Sequence, residues 1–185
     1  MIRMDHKWLA ISLLAMLSAC SFGTKPSLPI SHDFGPTTEQ GVDGDGIAVT
    51  FDAPVWLWDE RIRYRLLYED ATIIRYYNLN RWEAPLPALL ERRLTLSGKQ
   101  PVKISIYLTQ FEQQFTTSSQ AHVVLSLTVS VFTEKDYRLI AKRSFNLSQH
   151  TVSPDASGAV ASFMTLTEQA KTVIQAWLET LSYTK

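Results

Sequence analysis

Through the middle of the chain, apolar and polar residues alternate with a period of two, and twice this gives way to helical spacing. Ile47, Val49 and Phe51 alternate with Ala48 and Thr50, which predicts a strand with one apolar face, ended by Asp52-Ala53-Pro54. From about Glu60 to Tyr68, Ile62, Tyr64 and Leu66 take one face of a second strand and Arg61, Arg63 and Arg65 the other. Glu69-Asp70 makes a turn, and the β-branched and aromatic run Ala71 to Asn78 predicts a third strand pairing back on the second. Pro85 and Pro87 stand where a helix can begin, Leu86, Leu89, Leu90 and Leu94 follow at helical spacing, and Gly98 lies at a cap position. The helix is predicted over 85–97.

Three longer strands come next. Val102, Ile104, Ile106 and Leu108 alternate in the first; Val123, Leu125, Leu127, Val129 and Val131 alternate in the second, opposite His122, Ser126, Thr128 and Ser130. After the polar turn Glu134-Lys135-Asp136, the third runs from about Tyr137 to His150, with Leu139, Ala141, Phe145 and Leu147 in step. Ser153-Pro154-Asp155 opens a final amphipathic helix of about 25 residues, with Val160, Phe163, Ala170, Ile174, Trp177 and Leu181 three, four or seven apart. One strand face is apolar and the other rich in Ser and Thr, as in an antiparallel sheet covered on one side. The pattern predicts an α+β, two-layer sandwich: an antiparallel sheet with two helices on one face, in the order βββ-α-βββ-α. No internal sequence repeat is clear.

The N-terminal end follows another logic. Trp8 to Leu17 is an apolar run behind the basic residues Arg3 and Lys7. It is too short for a membrane span, which needs about 20 residues, but suits the core of a signal peptide. Leu17-Ser18-Ala19-Cys20 then matches a bacterial lipobox, a large apolar residue and two small ones before Cys. The reading is a lipoprotein signal over 1–19 and lipidation of Cys20, whose acyl chains anchor the protein stably. Ser21 rather than Asp after Cys20 favours the outer membrane, in its periplasm-facing inner leaflet. Residues 20–45 hold Pro26, Pro29, Pro36, Gly23, Gly35, Gly41 and Gly44 without periodicity, and are expected to be a flexible, extended tether. The folded domain is expected over 46–185.

Composition narrows the function. The chain has 185 residues, 45% hydrophobic and 19% charged, with 18 basic residues against 18 acidic ones. That is one globular domain's worth of chain with no basic excess, so a nucleic-acid partner is not expected. A single Cys excludes an intramolecular disulfide and a Cys-based metal site. There is no GxSxG and no HExxH, and His6, His32, His122 and His150 lack ligand spacing. Asp43-Gly44-Asp45-Gly46 lacks the remaining ligands of a calcium loop and is read as a turn. The expectation is a protein that is not an enzyme and has no cofactor or metal. A homo-oligomer is compatible with the sequence.

The candidate contact residues are Trp56, Trp58, Arg61, Arg63 and Arg65. The arginine row either meets an anionic partner or is a solvated face paired with Glu60, Glu69 and Asp70. Trp56 and Trp58, two apart beside Pro54, are either lids on the core or a protein-contact patch, since Trp is enriched at binding hot spots.

Several segments together resemble a known family. His32-Asp33-Phe34-Gly35-Pro36, Pro54-Val55-Trp56-Leu57-Trp58-Asp59 with Ile62-Arg63-Tyr64-Arg65-Leu66, Tyr76-Tyr77-Asn78-Leu79-Asn80-Arg81-Trp82-Glu83-Ala84-Pro85-Leu86-Pro87 with Leu89-Leu90, and Asp155-Ala156-Ser157-Gly158-Ala159-Val160 with Trp177-Leu178 are similar, in that order behind a lipobox, to the ABC-type transport auxiliary lipoproteins, the PqiC-like family. The chain departs from that pattern at His32, Trp58, Asn80 and Leu86. The resemblance implies an accessory subunit that accompanies an MCE-domain (MlaD-like) protein and ABC transporter subunits in moving lipid between inner and outer membranes. It carries over no catalytic residue. The competing expectations are a structural or assembly lipoprotein of an outer-membrane complex and, on weaker grounds, a periplasmic hydrolase.

Overall fold

The structure, a computed structural model, describes residues 27–36, 46–98 and 101–181. The lipobox, Cys20 and most of the expected tether lie outside the described residues. The fold is α+β: one seven-stranded mixed sheet and two α-helices. In chain order the elements are β1 (Ile30–His32), β2 (Ala48–Asp52), a 3-10 turn (Val55–Leu57), β3 (Arg61–Leu66), β4 (Arg75–Trp82), α1 (Leu86–Arg93), β5 (Val102–Phe115), β6 (Ala121–Thr133), β7 (Leu139–His150) and α2 (Ala156–Glu179).

The strand expected over Ala71 to Asn78 runs instead over Arg75–Trp82, and two expectations about the arrangement of the sheet change. The first is strand order, since four strands rather than three precede α1. Ile30–His32, read from sequence as tether, pairs with β4 in the register Ile30↔Asn80 to His32↔Trp82. His32 Nε2 and Asn80 Oδ1 lie 2.8 Å apart across that pair. The Asp33 carboxylate accepts from the Gly35 amide, and Gly35 turns the chain at a φ of +74° that favours glycine. Phe34 is thereby buried against Trp82, ring centroids 5.4 Å apart. One buried aromatic ring can hold down a short strand that alternation alone did not reveal.

The second is that the sheet is not antiparallel throughout. β3–β4, β5–β6 and β6–β7 are antiparallel, but β1–β4, β2–β5 and β3–β5 are parallel. The cause is the length of β5. At roughly 3.3 Å per residue its 14 residues span about 46 Å. Two short strands therefore lie in line along one edge of it: β2 beside Lys103 to Tyr107 and β3 beside Gln113 to Phe115. They run the same way, and residues 53–60 bridge the gap between them.

Opposite that gap, β5 slips. Its register with β6 shifts between Leu108 and Gln110. Before the slip the core-facing residues are Val102, Ile104, Ile106 and Leu108; after it they are Phe111, Gln113 and Phe115. A bulge of one residue exchanges the two faces of the strand. Phe111 then stacks on Phe163 of α2 at 4.0 Å, while Gln110, Glu112 and Gln114 move to the face away from the helices.

α2 begins at Asp155, whose carboxylate accepts from the Gly158 amide at 2.7 Å, close to where the sequence opens it. It sets Phe163 against Phe111 of β5 and Trp82 of β4, and its apolar stripe of Leu166, Ala170, Ile174 and Trp177 lies in the core where the helix meets β6 and β7. α1 is shorter than expected and stops at Arg93. Leu94 and Leu96, two apart, are both buried, so the chain leaves α1 extended, in the core, and does not continue at helical spacing to Gly98. Both helices bury their apolar sides in one core with β5 and β6. A buried chain of polar groups ties the layers together: the Tyr77 hydroxyl donates to Gln113 Oε1, and Gln113 Nε2 donates to the Asp155 carbonyl oxygen. Burial, with the nearby Tyr64 and Asp155, pushes the Tyr77 phenol well above its ordinary pKa, so it stays a donor. No helix among the described residues is long and apolar enough to cross a membrane.

Candidate functional site

The residues singled out from sequence fall around the gap between β2 and β3. Pro54 sets an extended entry, and Leu57 N–H to the Pro54 carbonyl closes the 3-10 turn at 2.8 Å. Leu57 points into the core, which leaves Trp56 outside, 54% exposed. Trp58 is 44% exposed and donates its indole N–H to the Ala53 carbonyl, bracing the turn. Trp56 is thus presented on a stiff loop, with no indole hydrogen bond among the described residues. Neither tryptophan is a buried core lid.

The arginine row divides into three environments. Arg61 is exposed, bound through Nε and Nη2 to Asp59 and stacked 3.8 Å over the Tyr76 ring. Arg65 Nε pairs with Glu112 at 2.8 Å, and its Nη1 donates to the Ala71 and Thr72 carbonyls, clamping the β3–β4 turn. Arg63, between them, is only 6% exposed. Its Nη1 donates to the Trp56 carbonyl at 3.1 Å, its Nε is buried with no partner, and no acidic group pairs with it among the described residues. The solvated pairing with Glu60, Glu69 and Asp70 is therefore not what forms. Glu60 lies near Arg81, Glu69 binds Arg75, and Asp70 takes the Thr72 amide and hydroxyl. A buried guanidinium without a counter-charge carries a desolvation penalty of several kcal/mol unless something answers it.

These groups surround an open cleft of about 750 Å³ on the sheet face away from the helices. One side is Trp56 and Leu57 with Arg63 and Arg65; the opposite lip is Ile74 and Tyr76; the floor is Thr109 to Glu112, Ser126 and Asn146. Trp58 and Arg61 are not part of it. The cleft therefore collects Trp56, Arg63 and Arg65, three of the five residues singled out from sequence. Glu112 is its one carboxylate, buried, with Oε1 accepting from Arg65 Nε, Gln110 Nε2 and Gln114 Nε2. Arg65 and Glu112 cancel, so Arg63 leaves the cleft with one positive charge.

Sequence reasoning missed the floor. Glu112, Gln110 and Gln114 reach this face only through the slip in β5. The signal was present in the three-residue step from Leu108 to Phe111, which breaks the period of two. Beyond the cleft, Gln114 Oε1 lies 3.2 Å from His122 Nε2, and the His122 ring sits 6.5 Å from that of His150 on β7. Burial and the neighbouring His150 hold the His122 pKa below its ordinary value. Among the described residues, no three His, Cys, Asp or Glu side chains gather as a metal site would require.

No family model and no curated protein matches the sequence. Solved structures do. The crystal structure of a Xanthomonas campestris protein assigned to family DUF330 aligns with a TM-score of 0.63 at 19% identity, over 81% of this chain and 92% of that one. An uncharacterised protein aligns with a TM-score of 0.58 at 16% identity, over 71% of this chain and 90% of that one. A Caulobacter crescentus protein, provisionally described as a lipoprotein, reaches only 0.35 at 11% identity, over 51% of this chain and 83% of that one, and carries no argument. At these identities the shared property is the fold.

Proposed function

We propose that this protein is a non-enzymatic accessory lipoprotein of an MCE- and ABC-type intermembrane lipid transport system. It is held by acylated Cys20 in the inner leaflet of the outer membrane and acts by docking to its partner proteins in the periplasm. The lipobox and the order of family-like segments support the anchor and the system. The observation that carries docking is the cleft, where a half-exposed Trp on a braced turn stands beside a buried, unpaired Arg. Trp, Tyr and Arg are the side chains that dominate binding energy at protein interfaces, and Trp56, Tyr76 and Arg63 meet here.

The test is crosslinking in living cells from a photoreactive side chain at position 56, with the captured protein identified by mass spectrometry. An MCE-domain protein or an ABC transporter subunit is the expected product. Capture of an outer-membrane barrel or its assembly machinery instead would replace this reading with that of an assembly lipoprotein.

A further inference from the structure

Arg63 singles out the chemistry of what docks. It lies in the same wall of the cleft as Trp56, only 6% exposed and bonded to the Trp56 carbonyl, and its charge has no partner among the described residues. Glu112 makes no ion pair with it; that carboxylate instead takes Arg65, Gln110 and Gln114. The nearby carboxylate also sets a limit on the ligand. A group of two negative charges would be repelled by Glu112, whereas one negative charge neutralises the cleft. The walls choose the rest. Trp56 and Ile74 are apolar and project from opposite lips, while Gln110, Ser126 and Asn146 give the floor amide and hydroxyl groups of the kind that bind a peptide backbone. Gln110 and Ser126 already bond within the floor, but the Asn146 side-chain amide has no hydrogen bond among the described residues; an extended peptide can pair with it and a long acyl chain cannot.

We infer that the cleft receives one acidic side chain of a partner protein, its carboxylate on Arg63 and apolar neighbours of the same extended segment against Trp56 and Ile74. This rests on the docking reading above and adds what the docked segment must contain.

The experiment uses the full lipidated chain in phosphatidylcholine nanodiscs, labelled with 5-fluorotryptophan and followed by fluorine NMR. The Trp56 resonance is assigned by its loss in Trp56→Phe. The probes are the capped tripeptides acetyl-Leu-Glu-Leu-amide and acetyl-Leu-Gln-Leu-amide, sodium acetate, and nanodiscs containing phosphatidylglycerol. The Glu peptide should shift the Trp56 resonance, with the Gln peptide at least about tenfold weaker. Arg63→Met should abolish the difference while the Trp82 and Trp177 resonances stay in place, and Arg63→Lys should restore part of it. If Arg63→Met does not fold, the Glu-to-Gln discrimination in the unaltered chain still decides. Equal binding of the two peptides, an equal response to acetate, or no response to any probe overturns the inference. A Trp56 shift in phosphatidylglycerol nanodiscs without peptide also overturns it and makes the cleft a lipid-headgroup site. The two proposals fail separately. Capture of an MCE partner through another surface would leave the function standing without this cleft, and peptide discrimination without such a partner would leave the cleft standing alone.

Discussion

Replacing Trp82 by Ala tests whether the N-terminal segment and the sheet are held by one aromatic cluster. Trp82 is 1% exposed and lies 5.4 Å from Phe34, 6.0 Å from Phe111 and 5.9 Å from Phe163 by ring centroids. Those partners come from the segment after β1, from β5 beyond its bulge and from α2, so the indole fills the junction of three elements. Emptying such a site costs about 3–5 kcal/mol, because the neighbours cannot all collapse into the void. Against a total stability of about 5–15 kcal/mol, that is a large fraction. At roughly 2–4 °C per kcal/mol for a chain of this size, the melting temperature should fall by about 6–20 °C. Trp56→Ala removes a side chain that is more than half exposed and should change stability by no more than about 0.5 kcal/mol. Thermal melts of both variants, run side by side, supply the contrast. Proteolysis under native conditions should also cut the Trp82→Ala chain within residues 27–36, where Phe34 has lost its seat. Equal melting shifts in the two variants, or a Trp82→Ala melt unchanged within error, would refute the argument.

Other outcomes follow from the same geometry. Cys20→Ser should release the protein from the membrane pellet on cell fractionation, since the lipobox supplies the one acylation site in the chain; retention in the pellet with unchanged mobility would contradict the anchor. Gly158→Ala would place a Cβ against the Ser153 carbonyl oxygen and within 2.7 Å of its nitrogen, both backbone atoms. The collision should outweigh the helix-propensity gain of about 1 kcal/mol and leave the protein roughly 1–2 kcal/mol less stable in denaturant titrations. The folded state holds the His122 pKa below the unfolded value, so the unfolded chain binds the proton first as pH falls. His122 therefore contributes a loss of stability that begins as pH drops through about 6.5 and ends below its folded pKa. His122→Gln should flatten that part of the curve of melting temperature against pH; an identical curve would show that the residue plays no part.

The residue pattern was enough for much of the body. The alternation in β6 and the three-and-four spacing in α2 read correctly because each element has one face in the core, so burial is written into the local order of residues. Asp155 could be placed at the start of α2 for a similar reason, since its cap bond reaches only three residues ahead. Trp177, on the apolar stripe, is buried as the spacing predicts.

What the sequence could not decide is who lies beside whom. A period of two says which face of a strand is apolar but not the direction of its neighbour, so the parallel pairing of β2 and β3 along β5 was invisible. β1 is three residues long, too short for any period, and is held by hydrogen bonds to β4 and by the Phe34–Trp82 contact, with the paired residues about fifty positions apart. The arginine row shows the same limit at the site. The alternation put Arg61, Arg63 and Arg65 on one face, yet only the crossing of the 53–60 loop over β3 buries Arg63, and only the slip in β5 brings Glu112 to Arg65. Periodicity is a short-range property set by side-chain geometry. Counter-charges, clefts and strand neighbours are long-range consequences of packing, and for this chain they arise where β2 and β3 share the edge of one long strand.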